Sequence, residues 1–108
     1  MVLEKIKTVV FISGRGSNLL NLIKFSKKKD SPIKIELIVS NNFKAKGLEY
    51  SKKYNIKNKI YNFKKKNISE NIILKDLKKK KIKLICLAGF MKILSKNFIK
   101  KYNGKILN

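Results

Sequence analysis

At 108 residues the chain is long enough for one domain with a modest core and too short for two. Its single cysteine, Cys86, excludes an intrachain disulfide, and the absence of histidine leaves a zinc site almost no ligands. The formal net charge of +22 invites a nucleic-acid reading, since clustered cations displace phosphate counterions.

Three observations weigh against that reading. All but one of the 28 basic residues are lysine, whereas sequence-specific readers rely on the planar fork of arginine. The lysines are spread along the whole chain, and they occur with many asparagines and isoleucines, the joint excess that A+T-rich coding DNA produces. Most of the charge therefore reads as compositional drift on solvated faces, with weak, salt-sensitive adhesion to polyanions as its by-product. The stretch Met1 to Lys7 carries both signs of charge, and no apolar run approaches the roughly 20 residues that span a bilayer. The expectation is a cytoplasmic protein with no membrane partner.

In chain order, Val9-Val10-Phe11-Ile12 reads as a buried strand, followed by the turn Ser13-Gly14-Arg15-Gly16 and then by Leu19, Leu20, Leu22 and Ile23 at helical spacing. Ser17 or Asn18 is expected to cap that helix, and the lysine run Lys27 to Lys29 with Pro32 ends it. Ile33, Ile35 and Leu37 alternate with Lys34 and Glu36 before Ile38 and Val39, so a second strand is half exposed at its start and buried at its end. A second helix is expected from about Phe43 to Tyr54, with Leu48, Tyr50 and Tyr54 on its apolar side and Gly47 as a weak point. Ile56, Ile60, Tyr61 and Phe63 predict a short third strand, and Ile72, Ile73 and Leu77 a third helix beginning near Ser69 and Glu70. The run Ile82 to Ala88 predicts a central strand holding a buried, unreactive Cys86. Ser95 can cap a fourth helix with Phe98 and Ile99, and Ile106-Leu107-Asn108 opens a further strand.

Strands alternating with helices predict a parallel sheet covered on both faces, a Rossmann-like three-layer α/β/α architecture. Ligands of such sheets bind beyond the C-terminal ends of strands. Three stretches fall there: Ser13 to Asn18, Gly89 to Leu94, and Asn108. The first couples two glycines to a helix N-terminus, a geometry that favours an anion, although a plain structural turn explains the same glycines. Leu19 stands where a dinucleotide fingerprint has its third glycine, so NAD is disfavoured, and Glu36, at the distance of a ribose-binding acid, is equally a strand residue facing solvent.

Ile12-Ser-Gly-Arg-Gly-Ser-Asn-Leu19, Leu87-Ala-Gly-Phe-Met-Lys-Ile-Leu-Ser95 and Gly104-Lys-Ile-Leu-Asn108, in this order and at family-like spacing, closely resemble the phosphoribosylglycinamide formyltransferase family. The resemblance covers essentially the whole chain. It implies formyl transfer from 10-formyltetrahydrofolate, the co-substrate, to the amine of glycinamide ribonucleotide in purine synthesis, with no metal. By the same resemblance Gly16, Ser17 and Asn18 hold the substrate phosphate; Met91, Lys92, Ile93 and Leu94 line the folate pocket, largely by backbone; and Lys66 is the basic residue that helps hold the folate. Lys92 replaces the family's usual arginine. Asn108 matches the catalytic asparagine, whose carboxamide also touches the folate and can donate to the oxyanion of the tetrahedral intermediate.

The family's histidine, two residues beyond that asparagine, and its later aspartate are not in the chain; neither Asp30 nor Asp76 stands in the aspartate's place. The expectation is therefore residues 1–108 as the N-terminal part of a single formyltransferase domain, with no second domain, truncated at the C-terminus and incomplete as a catalyst. It implies a complementing C-terminal fragment, or self-association through an exposed sheet edge, as partner. Two other readings stand beside it. One is another formyltetrahydrofolate user, a methionyl-tRNA formyltransferase or a deformylase, which typically lacks the Gly-Ser-Asn loop. The other is a basic nucleic-acid-binding module with Tyr61 and Phe63 as its only stacking platform, against which a core role for both is the simpler reading.

Overall fold

A computed structural model describes residues 4–108, so Met1 to Leu3, part of the segment scanned above for a targeting signal, lie outside the described residues. Five strands form one sheet in the order β3-β2-β1-β4-β5, and every neighbouring pair is parallel. They are β1 (Ile6–Ile12), β2 (Ile33–Ser40), β3 (Lys57–Ile60), β4 (Leu84–Leu87) and β5 (Lys105–Leu107). The crossovers contain α1 (Ser17–Ser26), α2 (Leu48–Lys53), α3 (Lys66–Lys79) and α4 (Lys96–Lys101).

The chain steps outward from β1 to β2 to β3, then returns across the sheet to β4 and β5 on the other side of β1. Because the crossovers keep one hand, that reversal sends α1 and α2 to one face and α3 and α4 to the other. Val10 and Ile12 of β1 meet Leu19 and Ile23 of α1, while Val9 and Phe11 meet Ile73 and Leu77 of α3 and Phe98 of α4. The expected three layers follow, and the switch point lies between β1 and β4, where the turns after Ile12 and Leu87 open the same crevice.

Several expectations change in detail. Ile35 and Leu37, two residues apart on β2, face opposite layers instead of one, because the pairing with β1 slips by one residue between Thr8 and Val9. Such a bulge inserts one residue and reverses the facing of everything beyond it. The second helix begins at Leu48 rather than near Phe43, since residues 42–47 form turns in which Asn42 Oδ1 accepts from the Lys44 N–H. The third strand stops at Ile60; Tyr61 lies beyond it and Phe63 opens a 3-10 turn, both buried in the core. That burial removes the stacking platform a nucleic-acid module requires. Ile72 is exposed, and only Ile73 of that pair faces the sheet. No helix among the described residues is long and apolar enough to cross a membrane.

Candidate functional site

The phosphate-loop candidate leaves β1 at Ser13 and enters α1 at Gly16, whose φ of 80° lies in the left-handed region. Gly16, not Ser17 or Asn18, is the N-cap residue, and no side chain caps the helix, which corrects the expected capping role. The Gly16 carbonyl accepts the Leu20 N–H at 2.8 Å and closes the first turn. The Ser17, Asn18 and Leu19 N–H groups therefore emerge at the positive end of the helix dipole with no partner in the helix. Ser17 and Asn18 are exposed, and no acidic residue stands in that turn. An anion seated there would satisfy donors that the chain leaves open.

Gly47 shapes the loop from behind. Its N–H donates to the Gly14 carbonyl at 2.9 Å, and a Cβ built on Gly16 would stand 2.6 Å from Gly47 Cα. A Cβ on Gly47 would stand 2.8 Å from Ile12 Cδ1 and 3.1 Å from Gly16 Cα. The residue expected as a weak point of a helix is a contact that only glycine permits.

Across the switch point, the segment Gly89 to Ser95 is pinned at both ends. Phe90 stands edge-on to Phe11 and Phe63, with ring centroids 5.2 and 5.4 Å away, and Leu94 is buried in the same core. Ser95 caps α4 through the Phe98 N–H, as expected, and itself donates its hydroxyl and N–H to the buried carboxylate of Glu70 at 2.5 and 2.8 Å. Between the pins Met91 and Ile93 are 79 % and 81 % exposed, and Lys92 is exposed too. Among the described residues the N–H groups of Lys92, Ile93 and Leu94 find no intrachain acceptor. Phe90 and Leu94 are thus core residues, and Met91-Lys92-Ile93 is an apolar, donor-bearing rim held in place by them. Such a rim offers a ligand free main-chain donors beside exposed apolar side chains.

Asn18 and Asn108 come together in a cavity of about 420 Å³, shared with Asn21, Leu22, Cys86, Leu87, Ala88 and Leu107. Burial pushes the Cys86 thiol pKa up, away from the thiolate that would make it a nucleophile. Lys66 opens α3, half-buried, one turn before Glu70 on the same helix face. Glu36 lies far from the loop: it pairs with Lys34 at 3.5 Å and lines a separate groove with Lys7, Lys57 and Lys79 to Lys81, towards the opposite ends of the strands. Among the described residues no group of acidic, cysteine or histidine side chains is arranged to hold a metal.

A sequence profile of the formyl transferase family matches residues 6–108. The chain belongs to the formyl transferase family. The phosphoribosylglycinamide formyltransferase of Haemophilus influenzae is 39% identical to this chain over 107 residues, covering 94% of this chain and 50% of its own length. The trifunctional purine biosynthetic protein adenosine-3 of Gallus gallus is 40% identical over 108 residues, covering 97% of this chain and 11% of its own. The solved phosphoribosylglycinamide formyltransferase of Brucella melitensis superposes with a TM-score of 0.89 at 35% identity, covering 95% of this chain and 55% of that one. The chain thus spans about half the length of the bacterial relatives it matches.

Three residues take structural roles that their sequence context does not announce. In the sequence Ser13 reads only as part of a turn, Gly47 as a weak point of a helix and Glu70 as a helix start. Each acts through a partner distant in sequence (Met91, Gly14 and Ser95 respectively), so no local pattern announces it.

Proposed function

We propose that this chain carries the glycinamide ribonucleotide phosphate loop and the folate-binding segment of a phosphoribosylglycinamide formyltransferase, as the N-terminal part of one formyltransferase domain. The observation that carries the reading is the junction at the switch point. There the open N–H groups of Ser17, Asn18 and Leu19, the carboxamide of Asn108 and the rim Met91 to Ile93 all stand at the C-terminal ends of β1, β4 and β5.

On this reading the substrate phosphate sits at Gly16, Ser17 and Asn18, held by backbone donors and the helix dipole. Met91, Lys92 and Ile93 line the folate site, Leu94 contributes only its main chain while its side chain stays in the core, and Lys66 is the basic residue for its acidic end. 10-Formyltetrahydrofolate supplies the formyl group. The amine of the ribonucleotide attacks that carbonyl, and the Asn108 carboxamide N–H meets the oxygen as it becomes negative. These 108 residues include no histidine, so they contribute no imidazole to move the proton from amine to leaving nitrogen.

Calorimetric titration with glycinamide ribonucleotide tests the reading. The native chain is expected to bind, and Ser17→Glu, which places a carboxylate where the phosphate sits, to abolish the heat. Equal binding by both proteins overturns the assignment. In a folate absorbance assay the chain alone is expected to transfer no formyl group at a measurable rate, because loss of a general acid–base group costs about 10²- to 10⁴-fold.

A further inference from the structure

Ser13, the last residue before the glycine turn, joins three chain segments that the sequence keeps far apart. It is buried at the end of β1. Its Oγ accepts the Met91 N–H at 2.7 Å and donates to Asn41 Oδ1 at 2.5 Å, while its carbonyl accepts a longer 3.5 Å contact from Asn42 Nδ2. The direction of the hydroxyl is thereby set: with Met91 donating to the oxygen, the proton points to Asn41. Asn42 is itself held, its N–H donating to the Ser40 hydroxyl at 3.0 Å. The ends of β1 and β2 and the start of the exposed rim are fastened at one side chain.

The consequence lies at Met91. Phe90 and Leu94 anchor their side chains in the core, but the backbone between them has no ladder partner, and the Met91 N–H is the one N–H of the rim, residues 91–93, with an intrachain acceptor among the described residues. An exposed segment that binds through its main chain needs that main chain fixed before the ligand arrives, since ordering it afterwards costs affinity. We propose that Ser13 is a positioning residue for the folate-binding segment: its hydroxyl sets the Met91 peptide and hence the orientation of the open N–H groups of Lys92 and Ile93. This role rests on the function proposed above. Ser13 touches neither ligand in that scheme, and the phosphate site at Gly16 to Asn18 is held separately by Gly47.

The test separates the two sites. Ser13→Ala, Ser13→Thr and Asn41→Ala are titrated with 5-formyltetrahydrofolate, a stable formyl-bearing folate, and with glycinamide ribonucleotide, and the exchange rate of the Met91 amide is followed by NMR. Ser13→Ala is expected to weaken the folate about tenfold, the loss of one well-made hydrogen bond, to leave the ribonucleotide within about twofold, and to speed Met91 exchange. Ser13→Thr, which keeps the hydroxyl, restores the folate affinity. Asn41→Ala frees the hydroxyl to rotate without touching Ser13, so it gives a smaller loss in the same direction; it decides the matter if Ser13→Ala fails to fold. Unchanged folate affinity in Ser13→Ala and Asn41→Ala, or equal loss of both ligands, overturns the positioning role alone. A native chain that does not bind the folate overturns the folate half of the proposed function and the positioning role with it.

Discussion

At the level of single residues, the facing glycines Gly16 and Gly47 leave no room for a side chain between the loop and the turn behind it. Gly47→Ala would drive a methyl group against Ile12 Cδ1 and the Gly16 backbone, and is expected to cost about 1–3 kcal/mol, read as a lower urea midpoint with an unchanged m-value. Gly16→Ala adds the penalty of a positive φ to a closer clash and is expected to cost more. A second residue-scale effect concerns Asp76, which accepts from the Tyr61 hydroxyl at 2.5 Å and from Lys59 Nζ at 3.1 Å. Partial burial opposes its ionisation, but the Tyr61 hydrogen bond and the Lys59 cation outweigh that and hold its pKa below the usual carboxylate range. A depressed carboxylate stabilises the fold above its unfolded pKa and loses that contribution as pH falls through the folded one. Asp76→Asn is therefore expected to be about 1 kcal/mol less stable at neutral pH, with the gap closing in acid, as urea titrations across pH would display. The Tyr61 phenol is shifted the other way, upward, by burial first and by Asp76 second, so its contribution persists until strongly alkaline pH.

At the scale of elements, the link between α3 and α4 decides where the segment Gly89 to Ser95 sits. Glu70 is buried, with both carboxylate oxygens committed to Ser95, and Ser69 donates to the Asn62 carbonyl one position earlier on the helix. Glu70→Ala would leave the Ser95 N–H and hydroxyl without their acceptor, and a loss of about 2–3 kcal/mol is expected in urea denaturation, with Glu70→Gln losing less because its amide oxygen still accepts. The periodicity of α3 already hinted at this face: Ser69, Glu70, Ile73 and Leu77 recur at helical spacing, and all are buried. What the pattern could not convey is that a charged residue belongs to the stripe, since its partner is 25 residues away. The β2 bulge was hidden for the same reason, because a slip in register is a property of a pair of strands.

For the whole molecule, charge is the dominant feature. The formal net charge is +22, and only two ion pairs form among the described residues, Lys34–Glu36 and Lys59–Asp76, so repulsion between lysines opposes the compact state. Raising sodium chloride from about 0.01 M to about 0.15 M shortens the Debye length from about 30 Å to about 8 Å and is expected to raise the melting temperature by several degrees in calorimetry. No rise would mean that the lysines are spaced too widely to repel. β5 leaves the sheet edge open, with Leu107 half-exposed beside the cavity that holds Asn18 and Asn108.

Local sequence settles the alternation of strands and helices, a strand within the apolar run Ile82 to Ala88, the end of α1 at the start of the lysine run, the Ser95 cap and the family, because these depend on hydrophobic period, local turn chemistry and motifs a few residues long. Tertiary structure alone decided the strand order that places the turns after β1 and β4 on one crevice. It also decided the Gly16–Gly47 contact, the fastening of Met91 by Ser13 and the meeting of Asn18 with Asn108. Each of these joins residues tens of positions apart. Folding sets such distances through the packing of whole elements, which no local pattern encodes.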